Sequence, residues 1–322
     1  MRPLVSICIP TYNRANLLEK AIASALSQTL SEIEIVVVDN HSEDDTQDVV
    51  ARIKDDRVRY HRNEKNIGMV ANFNKCLKLA KGKYINILHS DDHLEPEIVE
   101  YESQFLEQNQ QVGMVYTAYC LDHELSKRKK RILPHEKDRI FAGTEQFDSL
   151  IRRGNYIAFS SVMLRKATVE HVGEFNESLL SAADLELWLR ISLYCPVGYL
   201  AKPLAIYRFH PDMDSFDSFR TAKNIDCEWK AVQVALGHLQ LPDSEWQRQF
   251  KQARKFLAIR VMRRAFFHAD KGMKIVREWL TKAVQIDPTM RFHPACWFIY
   301  IFSMMGDRSF SILNRARVWI LK

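Results

Sequence analysis

The chain is expected to fold as an α/β domain on a mainly parallel sheet, followed by a C-terminal helical region. Three features of the sequence point there. Apolar β-rich runs alternate with amphipathic segments in the N-terminal part, which implies crossover connections between parallel strands. Two of those runs end in carboxylates, Asp39 and the pair Asp91-Asp92. After about Leu241-Pro242-Asp243 the strand signal gives way to helical periodicity and a basic composition.

The first run, Leu4 to Ile9, reads as a strand stopped by Pro10, and Thr11-Tyr12-Asn13-Arg14 follows as a loop. From Ala15 to Gln28, Leu17, Leu18, Ala21, Ile22, Ala25 and Leu26 recur at three- and four-residue spacing, which predicts a helix. Ile33 to Val38 is a second buried-strand run ending in Asp39-Asn40, and Val58 to His61 is a short third strand. A helix is expected over Asn72 to Ala80, and then Tyr84-Ile85-Asn86-Ile87-Leu88-His89-Ser90 leads into Asp91-Asp92.

Ligands of open α/β sheets bind beyond the carboxyl ends of the strands. A divalent cation there prefers oxygen ligands and takes one or two protein carboxylates, with phosphate oxygens and water completing the shell. Asp91 and Asp92 suit that chemistry; equally, they suit N-caps of a helix starting near Glu95. Asp39 can accept a hydrogen bond from the imide N–H of uracil or thymine, or it is a turn residue paired with Asn40. No glycine-rich dinucleotide fingerprint follows the first strand, and no phosphate-cradling G-x-x-x-x-G-K is present. Phosphate binding would therefore fall to metal and side chains.

These segments resemble the family 2 glycosyltransferases, inverting enzymes of the GT-A fold that include bacterial surface-polysaccharide enzymes. The resemblance runs in order through Val5 to Arg14, Glu34 to Asn40, Asn66-Ile67-Gly68, His89 to Asp92, Val172 to Phe175, Ala183 to Trp188 and Tyr207 to His210. It implies that Pro10, Thr11, Tyr12 and Arg14 lie against a nucleotide-sugar donor, that Asp39 contacts its base and Asp91 its ribose. It also implies that Asp92 binds Mg2+ or Mn2+. His89 stands where the family more often has an acidic residue, so no metal role is carried to it. It reads as a polar strand-end residue or a group behind the ligands.

Departure of a nucleoside diphosphate leaves charge on a phosphate oxygen, which a divalent ion neutralises. The acceptor hydroxyl needs a positioned base. Inversion puts that base on the opposite face, so a second, remote carboxylate is expected. The resemblance assigns it to Asp184, in Ser181-Ala182-Ala183-Asp184-Leu185-Glu186-Leu187-Trp188. The plain alternative is an N-cap for a helix beginning at Leu185. Glu186 is the competing carboxylate, with a solvated helical face as its other use. After a short strand at Leu204 to Tyr207, the resemblance places Arg208 and His210 on a loop over the diphosphate. Arg208 would balance phosphate charge, and His210 would complete the metal shell, unless it is a surface residue. Pro211 to Ser215 reads as a donor-ordered lid.

The chain has 322 residues, 47% hydrophobic and 27% charged, as in a soluble globular protein. Its six cysteines are scattered with no C-x-x-C, which argues against a zinc or disulfide framework. No signal peptide is read, and a cytoplasmic protein is expected. The net charge of +6 hides an asymmetry: Arg248 to Lys322 carry 16 Lys+Arg against 4 Asp+Glu. This tail is expected to form helices over Trp246 to Ala269, Lys271 to Ile286 and Ala295 to Met305. Its aromatic residues, among them Trp279, Trp297 and Trp319, leave two readings open. One is a bundle packed on the catalytic domain; the other is peripheral contact with the inner membrane surface. The run Lys127 to Arg131 reads as a solvated basic loop able to meet an anionic acceptor or headgroups. Nucleic-acid binding lacks a supporting fold.

The expectation is therefore a GT-A domain over residues 1–220 and a basic helical region over 221–322. Its function would be metal-assisted inverting transfer from a UDP- or dTDP-sugar to a carbohydrate or lipid-linked glycan. Loops such as Asn155 to Ser161 would set specificity. A sugar nucleotidyltransferase and a non-catalytic nucleotide-sugar or glycan binder are the alternatives.

Overall fold

A computed structural model describes residues 2–142, 144–210, 213, 224–238, 243–267 and 272–304. The chain divides into two compact units, Met1–Phe147 with Tyr156–Phe216, and Asp148–Asn155 with Asp217–Lys322.

Along the chain the elements are β1 (Val5–Thr11), α1 (Ala15–Leu26), β2 (Ile33–Asp39), α2 (Thr46–Arg52), β3 (Val58–Arg62), α3 (Met69–Leu79), β4 (Tyr84–Ile87) and β5 (His93–Leu94). There follow α4 (Ile98–Gln108), β6 (Met114–His123), β7 (Arg128–Ile132), β8 (Arg139–Phe141), α5 (Glu145–Arg153), β9 (Val162–Arg165), α6 (Lys166–Val172), α7 (Ala183–Tyr194) and β10 (Val197–Phe209). One sheet joins all the strands in the order β3-β2-β1-β4-β9-β6-β10-β5, with β7 beside β6 and β8 beside β10. Strands β3, β2, β1 and β4 are mutually parallel, as are β6 and β10. β1 and β2 are buried along their whole length, which is why they read as unbroken apolar runs rather than alternating ones. Leu18, Ala21, Ile22 and Ala25 of α1 pack on this sheet.

The register lines up the carboxyl ends. Thr11 lies opposite Asp39, and Asp39 opposite Arg62. β4 stops earlier, at the level of Cys8, whose carbonyl accepts the Leu88 N–H at 2.9 Å. The segment leading to Asp91-Asp92 therefore leaves the sheet beside the ends of β1 and β2. Pro10 does not stop the first strand as expected; β1 runs on to Thr11. Even-numbered residues of β1 turn their backbone polar groups towards β4, which has already ended, so the missing N–H of Pro10 breaks no ladder bond.

Other expectations are corrected. α3 begins at Met69, three residues before Asn72, where Gly68 turns at φ 90°. The Lys127–Arg131 segment is not a loop: Arg128–Ile132 is an edge strand antiparallel to β6, every residue from Arg128 to Arg131 exposed. A strand polar on both faces carries no alternation to read. α2 was not anticipated either.

The second unit holds α8 (Asn224–Gly237), α9 (Asp243–Phe267), α10 (Met273–Ile286) and α11 (Pro294–Met304). α8 was not foreseen; α9 to α11 match the expected helices within a few residues. Leu257, Val261, Val276, Trp279 and Ile299 form its core. α10 ends where expected, because Asp287 accepts hydrogen bonds from Thr289 N and Oγ1 (3.0 and 2.8 Å) and Pro288 starts a separate short turn. Among the described residues, no helix is long and apolar enough to cross a membrane. The expected lid at Pro211 to Ser215, apart from Met213, lies outside the described residues, as do Trp319 and the residue 220 boundary.

Candidate active site

Asp39 closes β2 and is fully buried. Its Oδ1 accepts the backbone N–H and the hydroxyl of Ser42 (2.8 and 2.6 Å), and its Oδ2 accepts the Tyr60 hydroxyl at 2.5 Å, with Arg62 Nε at 3.7 Å. The Asx-type turn expected of Asp39 is thus present and does not exclude a base contact, since Oδ2 keeps acceptor capacity. The loop after β1 is tied to the loop after β2. Asn13 N donates to Ser42 Oγ, Asn13 Oδ1 accepts Glu43 N, and Ala15 N donates to Asp44. Asn13 and His41 both take positive φ, 51° and 70°, a conformation Asn and His tolerate better than most residues. Pro10 and Thr11 are buried beneath this corner and Tyr12 is exposed on it. The buried Thr11 hydroxyl has no hydrogen-bond partner among the described residues.

Asp91 and Asp92 are not helix caps. β5 intervenes, α4 starts at Ile98 behind Glu97, and both carboxylates are committed elsewhere. Asp91 Oδ2 accepts Arg14 Nη1 at 2.7 Å and stands 3.2 Å from His210 Nε2. Burial opposes its ionisation, but the His210 hydrogen bond and the charges of His89, Arg14 and His210 prevail and hold its pKa below the ordinary carboxylate value. Asp92 goes the other way. Burial, and then the negative charge of Asp91, push its pKa up against the hydrogen bonds from Ser160 Oγ to Oδ2 (2.6 Å) and from Arg208 N to Oδ1 (3.0 Å). Two adjacent buried carboxylates thus share one region of positive charge, and Asp92 has the smaller part of it.

Two expectations about the following residues change. Arg208 is not on a loop but near the end of β10, paired opposite Asp122 of β6. His210 is not a surface residue: it is 3% exposed and faces Asp91. Arg208 Nη1 is buried without a hydrogen-bond partner among the described residues, and its Nη2 lies 3.6 Å from Glu124.

α7 separates the two candidate bases. It begins at Ala183, not Leu185, so Asp184 is in its first turn rather than at its N-cap; its Oδ1 accepts Leu185 N at 2.7 Å. Asp184 is partly exposed. Glu186 has no solvated face. It is fully buried and grips Arg190 Nε and Nη2 at 2.8 and 2.7 Å. Arg190 also donates to the carbonyls of Val172, Gly173 and Glu174, where Gly173 ends α6 at φ 94°. Glu186 is therefore a structural ion pair. Trp188, one turn beyond Asp184 on the same face, packs on Phe159 and Phe175, and Phe159 stacks on the His89 ring at 4.4 Å. This aromatic cluster links the Asp184 face of α7 to the end of β4.

The sequence and the fold match a known group. The model of the family described as glycosyl transferase family 2 matches residues 6–172. The chain belongs to that family. It is a transferase of GT-A fold, as the resemblance implied. An uncharacterised protein of Mycobacterium tuberculosis (strain CDC 1551 / Oshkosh) is 30% identical over 233 residues, 70% of this chain and 73% of its own length. An Escherichia coli protein named as a UDP-Glc:alpha-D-GlcNAc-diphosphoundecaprenol beta-1,3-glucosyltransferase is 31% identical over 58% of this chain and 70% of its own. Against three rickettsial relatives the chain spans only 31–35% of their length. Among solved structures, that of Staphylococcus aureus TarS 1-349 with UDP-GlcNAc shares the fold at TM-score 0.65 and 16% identity, over 97% of this chain and 90% of that one.

In this family 2 chain the donor set fits a divalent ion. One ligand atom each from His89, Asp91 and Asp92 lie within 4.8 Å of one another, an imidazole nitrogen and two carboxylates that suit a divalent ion. His89, to which no metal role was carried, stands in this cluster, and His210 is one hydrogen bond away on Asp91. Sequence reasoning put Ser160 only in a specificity loop and missed that its hydroxyl bridges His89 N and Asp92. It also missed Tyr60 on Asp39. Neither has a local signal, since both meet their carboxylates only through sheet pairing.

Proposed function

We propose that the protein is an inverting glycosyltransferase. It moves a sugar from a UDP- or dTDP-sugar to a carbohydrate or lipid-linked glycan, with Asp184 as general base and Mg2+ or Mn2+ as the assisting ion. The observation that carries this is the division among carboxylates. Asp39, Asp91 and Asp92 are buried and engaged at strand ends, while Asp184 is partly exposed on a separate helix, whose Trp188 meets the aromatic cluster stacked on His89. The names of the Escherichia coli and Staphylococcus aureus proteins support the UDP-sugar donor, and the former supports the lipid-linked acceptor.

In this reading Asp39 accepts the base imide through Oδ2, while Pro10, Thr11 and Tyr12 flank the nucleotide and the Thr11 hydroxyl gains a partner. Asp91, held ionised by Arg14 and His210, meets the ribose. Asp92, with His89 near it and His210 beyond Asp91, would hold the ion, which supplies Lewis-acid neutralisation of the departing diphosphate. Arg208 Nη1 offers that diphosphate a donor that has no partner among the described residues. Asp184 takes the proton of the acceptor hydroxyl as its oxygen closes on the sugar C1 from the face opposite the diphosphate. The reaction belongs in the cytoplasm, at the inner face of the membrane.

The test is thermal stability against a panel of nucleoside diphosphates and nucleotide-sugars, with and without Mn2+. A ligand at a hundred times its Kd adds about 2.7 kcal/mol by mass action. The expected result is a Mn2+-dependent rise with uridine or thymidine species that disappears in Asp92→Ala. No rise with any nucleotide would leave the fold standing and refute the donor reading.

A further inference from the structure

α11 contains no charged residue, and the described residues leave one of its faces bare. Cys296, Ile299 and Ser303 point into the core of the helical unit, 5%, 0% and 2% exposed. Trp297, Tyr300, Ile301 and Met304, spaced i, i+3, i+4 and i+7, form a stripe on another side at 56%, 50%, 50% and 63% exposed. Phe292, just before the helix, is 72% exposed. Cations border the stripe: Arg277 Nη1 lies 3.8 Å from Met304 Sδ, and the Arg291 guanidinium sits 5.0 Å from the Phe292 ring centroid. From Pro288 to Met304 there is no acidic residue.

We infer that this stripe docks the helical unit on an anionic lipid surface. Amphipathic Trp and Tyr beside aliphatic side chains, rimmed by arginine, suit the boundary between acyl chains and acidic headgroups. Charge selects among the possible occupants. A two-fold contact with a second copy would set the same cationic border against itself. The segment 305–322 carries Arg308, Arg315, Arg317 and Lys322 against Asp307 alone, so laying it over the stripe would add like charge. An anionic bilayer neutralises both arginines and the segment. The inference deepens the reading of a lipid-linked acceptor and rests on it for its purpose, since the acceptor would then lie in the surface the enzyme rests on.

The experiment is flotation of the full chain with vesicles of phosphatidylcholine, alone or with phosphatidylglycerol. Binding is expected to the mixed vesicles and to weaken with salt. Trp297→Ser with Ile301→Ser should weaken it at least about tenfold, and Arg277→Gln with Arg291→Gln should remove the preference for phosphatidylglycerol. Brominated lipid should quench the wild-type tryptophan emission more than that of Trp297→Phe, a variant that keeps the apolar stripe. Wild-type chain that stays off the vesicles, or a Ser double variant that binds as wild type, overturns the inference. So does a wild-type dimer in light scattering that the Ser variant splits. The nucleotide melting shift separates the two readings: retained without vesicle binding, it leaves the donor site standing and sinks this inference alone; lost in wild type, it sinks the donor reading alone.

Discussion

The two units of the molecule break the ordinary partition of residues in opposite directions. The first buries charge, with Asp39, Asp91, Asp92 and His210 each under 10% exposed at strand ends. The second exposes apolar surface, with four large side chains on one stripe of α11. Buried polar groups and exposed apolar patches are the informative departures, because neither lowers the free energy of the folded chain by itself. On the proposed reading each departure would be met by a partner of the matching kind: a charged, polar donor at the strand ends, and an apolar, anionic surface at α11.

Inside the first unit, Asp184 and Glu186 stand two residues apart and differ in their whole environment. Asp184→Asn is expected to lower kcat about 10²- to 10⁴-fold while nucleotide binding and melting temperature stay near wild type. A variant that transfers sugar at the wild-type rate removes Asp184 as base. Asp92→Asn, or a chelator with wild-type chain, should lower turnover by about 10²- to 10³-fold, with restoration by Mn2+ only for the wild type. Glu186→Ala should do the converse of Asp184→Asn. Stranding the buried Arg190 guanidinium costs about 3–5 kcal/mol of stability, read by urea denaturation, and a fully stable variant would contradict the ion-pair account.

A smaller effect is expected at a buried acid outside the site. Glu102 on α4 is fully buried, neither carboxylate oxygen has a partner among the described residues, and burial raises its pKa well above 4.5. The folded chain therefore retains a proton that the unfolded chain releases. That contribution is complete below the unfolded pKa and is lost as pH rises towards the folded value. Glu102→Met should flatten the fall in stability above pH about 4.5 and add about 1–3 kcal/mol at alkaline pH. An unchanged pH profile would mean Glu102 is not the titrating group.

The parallel half of the sheet and its terminal carboxylates were legible because β1, β2 and β4 are buried on both faces, with Asp39 closing β2 and Asp91-Asp92 following β4 within a few residues. What was not legible depends on contacts between distant segments. Glu186 and Arg190 have the spacing of an exposed helical pair, and only the packing of α7 on all sides puts them inside. His210 looks like a lone polar residue until β10 carries it to Asp91. The edge strand β7 has no apolar face to announce it, and Ser160 reaches Asp92 only because β9 pairs with β4.

The most direct test of the central claim is the anomeric configuration of the product, read by NMR after transfer from an α-linked UDP-sugar. A single displacement with Asp184 as base predicts a β-linked product. An α-linked product would mean retention, and would leave Asp184 without the role assigned to it.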